Sequence, residues 1–385
     1  MRKGWEYKKL GEIGKIVTGS TPSTKDESNY TPREYCFVKP SDLPSQGIGD
    51  IEETEYYVSK VGLSKSRVLP AGSVLVSCIG SIGKIGILTK EACSNQQINA
   101  IIPQDEIDSW FIAYSLYAQR FVLESIANAP VVPIINKTVF SKITIGIPPR
   151  STQLAIVSEL DKINELIRLK KEQLKDFDNL AQSLFYEMFG DPVENEKGWE
   201  VKKLKEIATE KLSYGSGASA VPFNTSVRYI RITDINEYGE LKDEKVSPNI
   251  FEEKYLLAEG DILFARSGAT VGKTYLHKRN EFPCIYAGYL IRLRPNEKLV
   301  LPNYVYYYTK SNYYKSFICA NQRVVAQPNI NAKQYGDLEL PLPPLSLQHL
   351  FTQRVEQIER EKSEVQKSIQ DLETLLASRM QYWFE

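Results

Sequence analysis

The sequence predicts a mixed α/β protein of the α+β class, with two similar globular domains joined by two long helices. Three observations support this prediction. The chain repeats itself over half its length, each half contains short apolar runs typical of strands, and each half closes with a long stretch without proline or glycine. We expect the two long helices to form an antiparallel coiled coil, which gives the chain a pseudo-two-fold internal repeat.

The repeat is marked at both of its ends. Gly4-Trp5-Glu6 returns as Gly198-Trp199-Glu200, and Ile147-Pro148-Pro149 returns as Leu342-Pro343-Pro344. The offset between the copies hardly changes from the first match to the last, and it far exceeds the period of solenoid repeats, which favours a pair of duplicated domains. The predicted boundaries are 1–150 for the first globular domain, 151–190 for the first long helix, 191–345 for the second domain and 346–385 for the second long helix.

Within each globular domain, apolar runs bounded by Gly, Pro, Ser and Asn predict strands. The predicted strands are 35–39, 73–79 and 98–102 in the first half and 228–233, 261–265 and 289–293 in the second. Longer apolar stretches at 110–126 and 304–318 predict helices. A mixture of short strands and helices in each half is the basis of the α+β assignment.

The last part of each half carries a narrow apolar stripe with alternating spacings of three and four residues. This period is typical of a coiled-coil seam. A narrow stripe buries little surface by itself, so each helix needs a partner, and the other copy is the obvious one. The predicted seam residues are Leu160, Ile163, Ile167, Leu174 and Phe177 in the first helix and Val355, Ile358, Val365, Ile369 and Leu372 in the second.

Lysines that interrupt the two stripes favour antiparallel pairing. Lys170 interrupts the first stripe and Lys362 the second. Parallel pairing would place the two cations in adjacent layers, whereas antiparallel pairing separates them. A globular domain must also fit between the two helices along the chain. Gly190, followed by Pro192, is expected to end the first helix.

Composition excludes several classes of function. Lys and Arg number 48 and Asp and Glu also 48, so a strongly basic nucleic-acid binder is not indicated, and a DNA-binding role would need a basic partner for phosphate contacts. Five scattered cysteines and two histidines predict free thiols, with neither a metal site nor a cofactor. The charged N-terminus and the short apolar runs predict a cytoplasmic protein without a membrane segment.

Ordered motifs, repeated twice, carry a family resemblance. They are the Gly-Trp-Glu opening, the Pro-Pro before each long helix, the junction 188–192 that leads into Gly198-Trp199, and the segment 260–268 with its counterpart 72–80. Together these features, which cover essentially the whole chain, resemble the specificity subunit of type I restriction-modification systems.

The resemblance implies a function for each part. Each globular domain would be a target recognition domain that reads one half of a split, asymmetric DNA sequence. The long helices would set the gap between the half-sites and dock two modification (methyltransferase) subunits, and restriction subunits through them. A seam helix of roughly 36 residues is about 54 Å long, which is comparable to the DNA helical repeat of about 34–36 Å. Catalysis would then belong to the partners, and the chain itself is expected not to be an enzyme.

Polar residues at strand ends and in turns are the candidate DNA contacts. Side chains of these types can make bidentate contacts to base edges or bind phosphates, although each could equally be an ordinary solvated side chain. The candidates are Lys39, Ser41, Lys84, Asn95 and Gln96 in the first half, and Arg231, Thr233, Arg266, Ser267, Lys273 and Arg323 in the second. The tyrosine-rich run 304–314 could stack on bases, but its counterpart in the first half has lost most phenols, which favours helix core.

Two alternatives remain open at this point. The segment 266–274 approaches a P-loop, but Gly268 and Gly272 enclose three residues where the Walker pattern has four. A tight turn between strands is the better interpretation, while a nucleotide-dependent DNA-processing enzyme would need Lys273 to bind ATP. The other alternative is a scaffold that uses the helical rod to hold two protein-binding domains.

Overall fold

A computed structural model describes residues 2–127, 134–236, 238–322 and 329–385. The chain divides into two compact units. Unit 1 combines Met1–Lys170 with Ser368–Glu385, and unit 2 is Lys171–Lys367. Each unit therefore holds one globular part of the repeat together with a segment of each long helix. Because the compact units divide both helices, the domain boundaries near 150, 190 and 345 remain a prediction.

Unit 1 is built on a five-stranded and a three-stranded sheet. Its strands are β1 (Glu6–Lys9), β2 (Gly14–Thr18), β3 (Tyr35–Val38), β4 (Ile48–Ile51), β5 (Tyr57–Val58), β6 (Val74–Ser77), β7 (Ile85–Leu88), β8 (Ala92–Ser94), β9 (Ile98–Pro103) and β10 (Thr144–Ile147). Its helices are α1 (Leu10–Ile13), α2 (Lys60–Ser64), α3 (Ser109–Ala118), α4 (Arg120–Ile126), α5 (Lys137–Ser141) and the first part of α6 (Arg150–Phe189). The sheet orders are β2-β9-β6-β7-β4 and β5-β3-β8, and β1 pairs with β10.

Unit 2 repeats this design with shorter strands. They are β11 (Glu200–Lys203), β12 (Ser213–Tyr214), β13 (Ala220–Pro222), β14 (Arg228–Ile230), β15 (Val246–Pro248), β16 (Ile262–Ala265), β17 (Thr274–Leu276), β18 (Cys284–Tyr286), β19 (Leu290–Leu293) and β20 (Glu339–Leu342). The helices are the last part of α6, α7 (Pro302–Tyr308), α8 (Asn312–Gln322), α9 (Ala332–Gly336) and the first part of α10 (Leu345–Phe384), whose last part belongs to unit 1. The largest sheet has the order β12-β19-β16-β17.

The strand pairings confirm the internal repeat. The opening strand of each unit pairs antiparallel with the strand before the long helix, β1 with β10 and β11 with β20. A central hairpin follows in both units, β6-β7 and β16-β17. Both units also contain an equivalent short parallel pair, β3 with β8 and β14 with β18. Unit 1 adds a second parallel pair, β4 with β7, that has no counterpart in the described part of unit 2. The two halves therefore share the rest of their strand pairing, as the duplicated sequence predicts.

Predicted strands match observed ones closely, whereas both predicted globular helices are divided. The segment 110–126 forms α3 and α4, which are separated at Gln119, where φ is −92° and ψ is 13°. The segment 304–318 forms α7 and α8. Between them, the Thr309 hydroxyl donates to the Tyr306 carbonyl at 2.6 Å, and the Ser311 hydroxyl accepts the Tyr314 N–H at 3.3 Å. These polar side chains end one helix and begin the next without glycine or proline.

The long helices pair antiparallel within each unit. In unit 1, Glu159 near the start of α6 accepts hydrogen bonds from Arg379 and from the Trp383 indole, at 3.1 and 3.0 Å, near the end of α10. In unit 2, the Lys362 ammonium lies 2.6 Å from the Asp178 carboxylate. The later residue of α6, Asp178, thus pairs with the earlier residue of α10, Lys362, which confirms the antiparallel coiled coil. The ion pair with Asp178 also explains why a lysine can interrupt the second stripe.

Most predicted seam residues are buried, and the Gly190 prediction is confirmed. Gly190 follows α6 with φ +80°, the left-handed conformation that glycine adopts readily. The half-buried seam residues are Leu174, Phe177 and Leu372. The buried seam residues are Leu160, Ile163, Ile167, Val355, Ile358, Val365 and Ile369.

Each long helix is fixed to its globular part by a buried glutamine amide. Gln153 accepts the Asp108 N–H at 3.0 Å and donates to the Pro148 carbonyl at 3.0 Å. Gln348, in the equivalent position of α10, accepts the Leu301 N–H at 2.8 Å and donates to the Pro343 carbonyl at 2.8 Å. Both amides therefore satisfy backbone groups that no strand or helix pairs. In the described part of the chain, no helix has the length and apolarity needed to cross a bilayer.

Burial of His277 is expected to make the stability of unit 2 depend on pH. Its side chain is 6 % exposed, and burial lowers its pKa below the ordinary value of about 6.5. Below about pH 6.5 the unfolded chain binds a proton that the folded unit does not, so the free energy of unfolding falls as the pH falls. We expect the melting temperature of unit 2 to drop between about pH 7.5 and 5.5, and to drop less in His277→Gln, as measured by scanning calorimetry.

The matched control is His349→Gln. His349 is the other histidine of the chain and is exposed on α10, so its replacement should leave the acid-induced drop unchanged. An equally large drop in His277→Gln would contradict the assignment.

Candidate nucleic-acid interface

The short parallel strand pair brings two turns together at one edge of each unit. Parallel strands end at the same edge, so the residues that follow them are neighbours. In unit 1, the Asn95 N–H donates to the Val38 carbonyl at 3.0 Å, and in unit 2 the Ala287 N–H donates to the Ile230 carbonyl at 2.9 Å. We name residues 39–42 with 95–97 edge 1, and residues 231–234 with 287–289 edge 2.

The first turn of each edge is held by an aspartate in the equivalent position. The Asp42 carboxylate accepts the Lys39 N–H at 2.7 Å, and the Asp234 carboxylate accepts the Arg231 N–H at 2.9 Å. The predicted strand 228–233 therefore ends early, because its last residues turn to make this bond. Ser41 and Thr233 occupy matching exposed positions within the two turns.

The cations of these turns are held against the protein. The Lys39 ammonium lies 3.0 Å from the centroid of the Tyr56 ring. The Arg231 guanidinium makes two-pronged contact with Asp234, with its Nη2 at 2.7 Å from Oδ1, and these hydrogen bonds raise the pKa of Arg231. Both cations are thus oriented before any ligand arrives, which lowers the entropy lost on binding.

The second turn differs in chemistry between the edges. Asn95 is 7 % exposed, and its amide is used twice on Gln97, accepting the N–H at 3.1 Å and donating to Oε1 at 2.8 Å. Asn95 therefore stabilises the turn, and Gln96 is the residue of this turn that is exposed to solvent. The Gln96 Oε1 accepts a hydrogen bond from the Thr21 hydroxyl at 2.7 Å. In edge 2 the same positions are Ala287, Gly288 and Tyr289.

A lysine from the central hairpin reaches each edge. The Lys84 ammonium donates to the Pro40 carbonyl at 3.3 Å, and the Lys273 ammonium donates to the Ile235 carbonyl at 3.4 Å. These lysines come from the turn after β6 and from the turn after β16, which occupy equivalent places in the repeat. The structure therefore gathers the predicted residues of unit 1 near edge 1, and Arg231, Thr233 and Lys273 of the predicted residues of unit 2 near edge 2.

Arg266 lies beside edge 2. Its backbone N–H donates to the Tyr289 carbonyl at 3.0 Å, just as the Cys78 N–H donates to the Gln97 carbonyl at 2.8 Å in unit 1. Its guanidinium donates to the Asn329 side chain at 3.2 Å and lies 4.6 Å from the Tyr214 ring centroid. Ser267 pairs with Asn329 through the backbone. Arg323 lies outside the described residues.

The glycine-rich segment is the tight turn that its spacing predicts. β16 and β17 pair antiparallel on either side of it, so the segment leads into a strand, whereas a P-loop leads into a helix. Gly268 and Gly272 have φ of +67° and +86°, and the Gly272 carbonyl accepts the Tyr314 hydroxyl at 3.1 Å. The nucleotide-binding alternative therefore has no structural support.

The tyrosine-rich run is core, as the repeat comparison favours. Tyr304, Tyr308 and Tyr314 are buried. The Tyr304 hydroxyl donates to the Pro341 carbonyl at 2.6 Å, and burial raises the pKa of Tyr304. Among the described residues, no group of three or more His, Cys, Asp or Glu side chains is placed to hold a metal ion.

A family comparison decides the identity of the repeat. The family model described as the type I restriction modification DNA specificity domain matches residues 2–176 and again 196–374. The chain belongs to the type I restriction-modification DNA specificity family. Each match covers one globular part and most of its long helix. As a specificity subunit, the chain is a DNA-recognition component and is not catalytic.

Curated members of the specificity family resemble the chain over most of its length. The MjaIX specificity subunit of Methanocaldococcus jannaschii is 27% identical over 303 residues, which cover 70% of this chain and 67% of that protein. The MjaVIII specificity subunit of the same organism is 22% identical over 97% of this chain and 92% of its own length. The EcoKI specificity subunit of Escherichia coli is 21% identical over 95% of this chain and 84% of its own length.

Solved structures share the specificity-subunit fold. The type I restriction-modification S subunit from M. genitalium is 16% identical, with a TM-score of 0.57 over 98% of this chain and 95% of that one. A chain from a structural study of the complex assembly and conformational transition of the type I R-M system is 17% identical. Its TM-score is 0.61, over 100% of this chain and 98% of that one.

Proposed function

We propose that the chain reads a bipartite, asymmetric DNA sequence, with the domain at 1–150 reading one half-site and the domain at 191–345 reading the other. The observation that carries this proposal is the pair of edges. Edge 1 and edge 2 keep the same backbone hydrogen bonds while they present different side chains. Two domains that recognise different DNA sequences need different side chains, and the same backbone structure can hold both sets.

The side chains at the edges suit contact with base edges. An amide such as that of Gln96 can bond adenine, and a lysine or arginine can bond guanine, in the major groove. The hydroxyls of Ser41 and Thr233 can bond to any of the bases. In this proposal Lys84 and Lys273 bind phosphates beside the turn.

The helices are the proposed docking surface for two methyltransferase subunits and, through them, for restriction subunits. The chain has no net positive charge, so basic partners would supply many of the phosphate contacts. Both long helices also expose leucines, which in this proposal make apolar contact with the partners. These residues are Leu154, Leu166, Leu169, Leu180, Leu350 and Leu375. The cytoplasmic location remains a prediction that goes with this function.

A domain exchange tests the division of labour. Residues 1–150 are replaced by the matching domain of another family member, and the chain is expressed with its methyltransferase subunit. Single-molecule sequencing of the host DNA then maps the methylated motif. We expect a bipartite motif in which one half-site changes while the other half-site and the gap stay the same.

The reciprocal exchange is the control. Replacing residues 191–345 should change the other half-site only. A single contiguous motif, or a motif that neither exchange alters, would contradict the proposed function.

A further inference from the structure

We infer that Tyr289 is a specificity-determining residue of edge 2, whose ring contacts the 5-methyl group of a thymine in the second half-site. The inference rests on the proposed function, because it assumes that edge 2 faces DNA.

The backbone of Tyr289 is fixed on rigid elements. Its carbonyl accepts the Arg266 N–H at 3.0 Å, and the Gly288 N–H before it donates to the Ser216 carbonyl at 2.7 Å. The Leu290 N–H after it donates to the Ala287 carbonyl at 2.8 Å, which closes a tight turn. A side chain held in this way approaches a ligand with little loss of backbone entropy.

The side chain of Tyr289 points away from the core. The Tyr289 side chain is 62 % exposed. Tyr286, three positions earlier, is fully buried instead, and its hydroxyl lies 2.9 Å from the Ser213 hydroxyl. Exposing a large aromatic ring forgoes the stabilisation that burial would give it. A core role therefore does not explain why a tyrosine stands here.

Surroundings of Tyr289 are suited to DNA. Arg266 is bonded to Tyr289 through the backbone, and its guanidinium is held over the Tyr214 ring and by Asn329. The Arg231 turn lies on the neighbouring strand end, because Ala287 bonds to Ile230. The backbones of two arginines with oriented guanidinium groups therefore lie next to that of the exposed tyrosine, which puts cationic and apolar residues in the same edge.

Comparison with edge 1 indicates the base class. The position equivalent to Tyr289 is Gln97, because the carbonyls of both accept an N–H from the residue after the central strand. Edge 1 presents the Gln96 amide, which suits hydrogen bonding to adenine, whereas edge 2 presents a ring. In the major groove, the apolar group available to a ring is the thymine methyl.

The test uses the assembled complex of the full chain with its methyltransferase subunit and duplexes that carry the mapped target. Each thymine of the second half-site is replaced in turn by deoxyuridine, which removes only the methyl group. We expect wild-type affinity to fall about 3- to 10-fold at one position. Tyr289→Ala should bind the thymine duplex more weakly by a similar factor and lose nothing further with deoxyuridine. Tyr289→Phe should keep the sensitivity to the methyl group.

Controls separate a folding defect from a lost contact. Tyr7→Ala removes an exposed tyrosine from β1 and should leave affinity and methyl sensitivity unchanged. Thermal melting of Tyr289→Ala should match the wild type, because the ring is exposed.

Several results would overturn the inference while leaving the proposed function intact. One is an affinity of Tyr289→Ala for the target that equals that of the wild type. Another is a loss of affinity that does not depend on any thymine methyl, as stacking on an unpaired base would give. The third is a second half-site made only of G·C pairs. Loss of the bipartite motif itself would instead remove the proposed function.

Discussion

Replacing Phe185 with alanine is expected to lower the free energy of unfolding of unit 2 by about 3–5 kcal/mol. The ring is completely buried. It packs against the rings of Phe189, Tyr304 and Phe351, with centroids 5.1, 5.5 and 5.8 Å away. Alanine would remove these contacts and leave a cavity that the rigid neighbours cannot fill.

The expected melting temperature of unit 2 in Phe185→Ala is roughly 6–20 °C below that of the wild type, since about 1 kcal/mol corresponds to 2–4 °C for a unit of this size. Calorimetry of the purified chain measures the shift. Leu180→Ala is the matched control, because Leu180 is exposed on the same helix and should shift the transition by little. A shift of less than about 2 °C in Phe185→Ala would contradict the packing described for this cluster.

Replacing Gln348 with alanine is expected to cost about 2–4 kcal/mol, because two buried backbone groups lose their partners. The Gln348 amide is completely buried and pairs the Leu301 N–H and the Pro343 carbonyl, both at 2.8 Å. Water cannot replace the amide without opening the joint between α10 and the globular part of unit 2. The loss therefore exceeds that of a surface hydrogen bond.

Gln348→Ala should also affect DNA reading. A looser joint lets the domain move on its helix, so affinity for the second half-site should fall more than affinity for the first. Chemical denaturation measures the stability, and binding to duplexes with one altered half-site measures the reading. Gln357→Ala, an exposed glutamine on the same helix, is the control. Unchanged stability of Gln348→Ala, or an equal loss at both half-sites, would count against this role.

The sequence predicts the repeat, the strands and the antiparallel helices because these depend on local periodicity and on matched ends. It misses the breaks at Gln119 and around Ser311, since the apolar pattern runs through both without glycine or proline. Around Ser311 the bonds that end one helix and begin the next come from polar side chains, whose choice between helix and cap depends on tertiary contacts. At Gln119 no side-chain cap bond is present, and the break lies in the backbone angles alone.

Pairing between distant strands accounts for most of what the sequence cannot show at the site. β3 and β8 are far apart in the chain, and nothing in either segment names the other as its parallel partner. For the same reason the burial of Asn95 cannot be foreseen, and Tyr289 cannot be matched with Gln97. Tyr289 and Gln97 are equivalent through their backbone hydrogen bonds, and such bonds do not depend on the type of residue.

The backbone frame shared by the two edges has an evolutionary consequence. Bonds such as those from Asn95 to Val38 and from Ala287 to Ile230 use main-chain groups, which any residue except proline can supply in full. Substitutions at exposed positions such as Gln96 and Tyr289 therefore change the outward chemistry with little effect on folding. If the edges read DNA as proposed, a lineage of such chains can drift from one target sequence to another by single substitutions, with every ancestor along the path still folded.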